Sequence, residues 1–169
     1  DEKLKNILED KVLYYQKLSG EEKTRFEDMV ASFLQKVQIK EVGCKVTLED
    51  RVLIGASAII PVFGFDFWEY PNLKIIYILP NAFNQRFEYR GTNNGRNIMG
   101  MVGYGGLKDR MMLSQKALRH GFENTTDKQN TAIHEFIHLI DTTDGDIDGI
   151  PMSIKSRPYA LPWLNLIHK

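Results

Sequence analysis

The chain has 169 residues, of which 43% are hydrophobic and 26% charged, with 22 basic and 22 acidic side chains that cancel. That length suits one folded domain that buries roughly 70% of the surface an unfolded chain exposes and excludes a multidomain machine, while the balance of hydrophobic and charged residues is that of a folded rather than a disordered protein. The zero formal charge leaves no basic excess for nucleic acid or an anionic membrane.

Cys44 is the only cysteine and cannot form an internal disulfide, so the fold is expected to stand on packing, with Cys44 a structural thiol. No oxidising compartment is implied, and the expectation is a cytoplasmic protein. The chain opens Asp1-Glu2-Lys3 with no initiator Met and no apolar run, so it is expected to have been trimmed. Its most apolar stretch, Val52 to Phe67, is interrupted by Gly55, Pro61, Gly64 and Asp66 and falls short of the about 20 residues that span a bilayer. It reads as core.

In chain order, residues 1–42 carry helical spacing. Leu4, Ile7 and Leu8, then Phe26, Met29, Val30, Phe33, Leu34 and Val37, recur at three and four, which predicts two amphipathic helices broken at Ser19-Gly20. Ser19 is placed to cap the second, with Glu21 and Glu22 in its favourable first turn. From Leu48 a nearly unbroken apolar run mixes small and large residues up to Pro61, the pattern of a buried helix. Leu73 to Leu79, β-branched and aromatic between Pro71-Asn72 and Pro80-Asn81, predicts a strand in mid-sheet. Glycine and asparagine turns around Arg96 to Val102 and Arg110 to Leu113 predict antiparallel strands. After a loop from Gly121 to Thr125, one helix is predicted from about Asp127 to Thr143, and the proline-punctuated tail from Gly145 reads as loop.

That last helix carries the chemistry. Thr126 and Gln129 have capping-box spacing, Ile133, Phe136, Ile137 and Ile140 form the stripe expected to face the core, and His134, His138 and Asp141 fall at i, i+4 and i+7 on a neighbouring face. Two imidazoles one turn apart with a glutamate beside the first form an HExxH motif, which binds Zn²⁺ through ring nitrogens and holds the carboxylate near the metal without ligation. In this reading His134 and His138 are the ligands. Glu135 is the general base that takes a proton from water and delivers it to the leaving amine during peptide hydrolysis. Asp141 is the acid that accepts a ring N–H and orients a ligand.

A catalytic zinc site takes three protein ligands, and no Glu follows Glu135. Asp144 stands six residues past His138, but that spacing goes with a sharp glycine turn where this chain has Asp141, for which a positive φ is costly. Asp144, Asp146 and Asp148 imitate the start of a calcium loop, yet its twelfth position is Lys155 where a bidentate Glu belongs, so a solvated turn is the preferred reading. His120, Tyr104 and Tyr159 are candidates to stabilise an oxyanion.

Ile133 to Asp141, followed by Asp144-Gly145 and Gly149-Ile150-Pro151, resembles the IHEFAHxLD…DG…G.P signature of the Mlc titration factor A peptidases, peptidase family M90. Phe33-Leu34 before Val42, Arg51-Val52-Leu53-Ile54, the Tyr70 to Pro80 segment ending in Phe83, and Met112-Leu113-Ser114 resemble further blocks of that family in order. The resemblance implies an α+β, zincin-like domain over residues 1–169: N-terminal helices, a small mixed or antiparallel sheet and a zinc-binding HExxH helix of gluzincin type. It implies a Zn²⁺-dependent peptidase, of aminopeptidase type, acting on peptide or protein substrates, with no nucleic acid and no membrane. The family's third ligand is a Glu on a later helix, which implies that the C-terminal part carrying it is absent from this chain. The alternative it implies is a weakly active or inactive protein that acts by binding a transcriptional repressor.

Overall fold

A computed structural model describes residues 1–65, 68–81, 100–102, 109–123 and 130–141, with the side chains of 100–102 and Asp141 outside the description. It is an α+β fold. The helices are α1 (Glu2–Lys11), α2 (Leu13–Gln16), α3 (Gly20–Lys36), α4 (Leu48–Ile59), α5 (Gln115–Glu123) and α6 (Thr131–Asp141). The strands are β1 (Gln38–Glu41), β2 (Ile75–Leu79), β3 (Gly100–Val102) and β4 (Arg110–Ser114).

The local chemistry sets the helix starts. Ser19 Oγ accepts from the Glu22 N–H while the Glu22 carboxylate accepts from the Ser19 N–H at 2.8 Å, a complete capping box at α3. Thr47 and Asp50 build the same box at α4. As predicted, α4 is a buried helix: every residue from Val52 to Ile59 is inside, and α1, α3, α5 and α6 all pack on it. Gly55 lets α3 approach, since a Cβ there would lie 2.7 Å from Val30 Cγ1. A short 3-10 turn through Pro61 follows α4, and Val62 and Phe63 extend the core.

The sheet order is β1-β2-β4-β3. β2 lies in the middle, as its composition predicts, parallel to β1 (Ile75 beside Gln38) and to β4 (Ile75 beside Arg110). β3 runs antiparallel to β4, Met101 in register with Met112, and is the last strand of the sheet among the described residues, next to α6. The antiparallel expectation for these two segments is borne out, and with the other two described pairings parallel the sheet is mixed.

Three expectations are corrected. Val37 is not helical but ends α3, and the next four residues form β1. Gly121 to Glu123, expected in a loop, complete α5, where Leu118 and Phe122 one turn apart pack on the core and Gly121 is a helix residue rather than a turn signal. α6 begins at Thr131 rather than near Asp127; Thr126 and Gln129 lie outside the described residues.

Polar contacts lock α4 to α5. Asp50 is fully buried and accepts from Arg119 Nε at 2.7 Å and from a second guanidinium nitrogen at 2.9 Å, from Gln115 Nε2 at 2.9 Å and from the Thr47 N–H at 2.8 Å. Burial pushes its carboxyl up, but the Arg119, Thr47 and Gln115 hydrogen bonds outweigh this and hold it below the usual range. Cys44 is a half-buried free thiol whose Sγ lies 3.4 Å from the Ile78 carbonyl; burial and then the Asp50 charge raise its pKa, against a nucleophilic role. Among the described residues, no helix is long and apolar enough to cross a membrane.

Candidate metal centre on α6

The site starts from how α6 is seated. Ala132, Phe136, Leu139 and Ile140 are buried, while Ile133 and Ile137 are half-buried. The core-facing stripe is therefore turned from the predicted one towards Leu139. Phe136 is the anchor: its ring sits 5.7 Å from Phe33 of α3 and 5.3 Å from Tyr70, both edge to face, and Tyr70 in turn donates to the Ala58 carbonyl of α4 at 2.5 Å.

With that face buried, the helical period turns His134 and His138 to the exposed side together. Their rings stand nearly perpendicular with centroids 4.3 Å apart, and the two Nε2 atoms are separated by 2.8 Å. At that distance one ring can donate an N–H to the other's lone pair, with the tautomers setting which ring donates. Burial and then the charge of His138 lower the pKa of His134, which favours the neutral imidazole a metal requires.

Glu135, between them in sequence, is half-buried, and burial lifts its carboxyl to about 7. No hydrogen bond to its carboxylate relieves that cost among the described residues. A carboxyl poised near neutrality can exchange protons with water at ordinary pH.

The histidine pair fits a zinc ion by donor chemistry: two exposed imidazole nitrogens 2.8 Å apart on one face of one helix. Two nitrogens about 2.0–2.1 Å from a tetrahedral zinc stand about 3.3 Å apart, so the rings need to part by about half an ångström. Among the described residues no group of three or more His, Cys, Asp or Glu is placed to share an ion, so a third donor is not among them. α6 extends through Asp141, three residues past His138, but the side chain of Asp141 lies outside the description. So do Asp144, Asp146, Asp148, Tyr104 and Tyr159. His120 is exposed on α5.

Sequence reasoning passed over the residues that hold the start of α6. Asn130 Oδ1 accepts from the Ile133 N–H at 3.1 Å, and the Asn130 carbonyl accepts from the His134 N–H at 3.0 Å. An asparagine directly before an apolar-periodic run is itself a start signal, and it competes with the Thr126 box four residues earlier. A cavity of about 750 Å³ opens elsewhere, between α3 and the Trp68 to Leu73 segment; none of the three motif residues lines it.

The family described as glucose-regulated metallo-peptidase M90 matches residues 1–169. The chain is also 29% identical over 159 residues to an uncharacterized protein of Synechocystis sp., covering 90% of this chain and 57% of that protein. It thus spans a little over half the length of that relative.

Proposed function

Because the chain belongs to the M90 family of metallopeptidases, we propose that it is the zincin-like, HExxH-bearing domain of a zinc-dependent peptidase, with residues 1–169 forming one unit. The observation that carries this reading is the close approach of the His134 and His138 Nε2 atoms, 2.8 Å apart on the exposed side of α6, with a half-buried glutamate between them in sequence.

In this reading His134 and His138 hold the metal, and a further donor completes the set from outside the described residues. Bound there, a zinc ion supplies Lewis acidity to water and to a peptide carbonyl. Glu135 is the general base. Its carboxylate, kept from full solvation, accepts a proton from the attacking water and returns it to the departing amine nitrogen. Asp141 is proposed to accept a ring N–H from a ligand histidine, a role its spacing permits.

The substrate is proposed to be an extended peptide. β3 supports this, since it is the last strand of the sheet among the described residues and packs next to α6, where a peptide strand can add by backbone hydrogen bonds. Aminopeptidase preference and a transcriptional repressor as protein partner are proposed on the family likeness alone.

The deciding experiment measures zinc content and peptide hydrolysis together. Stoichiometric zinc in the wild type, its loss in His138→Ala, and its retention in Glu135→Gln with hydrolysis reduced about 100-fold or more are expected. Equal hydrolysis in Glu135→Gln overturns the general-base role, and zinc that survives His138→Ala overturns the ligand assignment.

A further inference from the structure

We propose that Asn130 is a positioning residue for the metal helix, a latch from α5 to α6 that fixes where His134 stands relative to His138. The proposal rests on the reading of these histidines as ligands.

Asn130 uses both ends of its side chain. Oδ1 caps α6 through the Ile133 N–H, and Nδ2 donates to the Gly121 carbonyl in the last turn of α5 at 3.1 Å. Capping alone does not explain an asparagine, because Ser, Thr or Asp accepts that N–H as well. Asp cannot donate, and the hydroxyl of Ser or Thr would have to accept and donate at a single atom, whereas an amide offers its acceptor and its donor on two separate atoms, one for each helix. Gly121 completes the fit: a Cβ there would lie 2.8 Å from Asn130 Cγ, so the two backbones approach this closely only because α5 carries no side chain at that position.

The far side of the latch is rigid. α5 is held to buried Asp50 of α4 by Arg119 and Gln115, so Gly121 belongs to a fixed frame. The two histidines are held differently. His138 lies among Phe136, Leu139 and Ile140, which the core grips. His134 lies one turn from the helix start, between buried Ala132 and Phe136, and its N–H makes the first regular helical bond, to the Asn130 carbonyl. Releasing Asn130 from Gly121 thus loosens the residue to which His134 is tied, four positions nearer the released end than His138. A metal that needs both rings converging feels that difference directly.

The test compares Asn130→Asp, which keeps the capping acceptor and removes the donor, with wild type and with Gly121→Ala, which wedges the latch without changing its hydrogen-bonding groups. Zinc affinity by competition with a chromogenic chelator, the visible spectrum of the cobalt-substituted chain, and amide exchange of Ile133 and His134 in the metal-free chain are measured well below the melting transition. Expected are zinc affinity weaker by about tenfold to a hundredfold in both variants, the scale seen when a group behind a ligand is lost. An altered cobalt spectrum and faster exchange at His134 in Asn130→Asp accompany it. Unchanged zinc affinity in Asn130→Asp, or unchanged His134 exchange, overturns the latch. Should the wild type bind no zinc, the ligand reading fails, and exchange in the metal-free variants alone decides whether the latch exists.

Discussion

The guanidinium of Arg119 closes on the carboxylate of Asp50 through bonds of 2.7 and 2.9 Å, and this joins α4 to α5, the helix that precedes α6 and its two histidines. Asp50 has no exposure, whereas the Arg119 side chain keeps 38% of its surface in water. Asp50 is therefore the partner that suffers if the pair is broken.

Asp50→Ala is expected to destabilise by about 2–3 kcal/mol at neutral pH, below the 3–5 typical of breaking a fully buried pair because Arg119 can turn to solvent. The pH dependence follows from the depressed carboxyl. Its stabilisation is present above the unfolded value of about 4 and is lost as pH falls through the lower folded value. Urea denaturation at neutral and acidic pH should show wild type and variant converging as the pH drops below about 4; a constant gap would refute this.

Glu135 has the opposite sign. Its carboxyl is raised to about 7 in the folded chain, so the fold holds a proton that the unfolded chain releases near pH 4.3, and stability falls as pH rises between the two values. In the metal-free chain, Glu135→Gln should match wild type near pH 4 and exceed it by about 1–2 kcal/mol at pH 8, after allowance for partial solvation. Melting curves at both pH values check this.

Phe136 is wholly buried between Phe33 and Tyr70. Phe136→Ala should cost about 3–5 kcal/mol, and Phe136→Leu distinctly less. Since this ring seats the helix bearing both histidines, zinc affinity of the folded Phe136→Leu chain should also fall. Chelator competition beside chemical denaturation separates the two effects.

Gly55→Ala sets two effects against each other. Alanine gains about 1 kcal/mol of helix propensity over glycine, but its Cβ meets Val30 Cγ1 at 2.7 Å across the α3–α4 contact. Both helices are fixed in the core, so overpacking should win, for a net loss of about 1–2 kcal/mol. A gain in melting temperature would show that α3 can withdraw freely.

Much of the fold is legible in the residues where one periodicity dominates. The α3 stripe, the Ser19 cap, the unbroken apolar run of α4 and the β-branched β2 each announce themselves, and the four-residue spacing of His134 and His138 is enough to put them on one helix face. β1 is hidden because Gln38–Glu41 offers one apolar residue, Ile39, on an edge strand largely open to water. α5 is hidden because it contains a glycine that resembles a loop signal until its contact with Asn130 is seen. What no local pattern encodes is the long-range pairing of Asp50 with Arg119, 69 residues apart, or the choice between two start signals close together, of which Asn130 is the one that caps α6.

α4 has no wet side beyond its first turn. A rod of that kind is at home only when its neighbours on every flank have arrived, and until then it presents a sticky cylinder to whatever else is nearby. Chain assembly is thereby biased towards an all-or-nothing event centred on this rod, so that damage to any one of the surrounding helices is felt at the histidines by way of the axle they share.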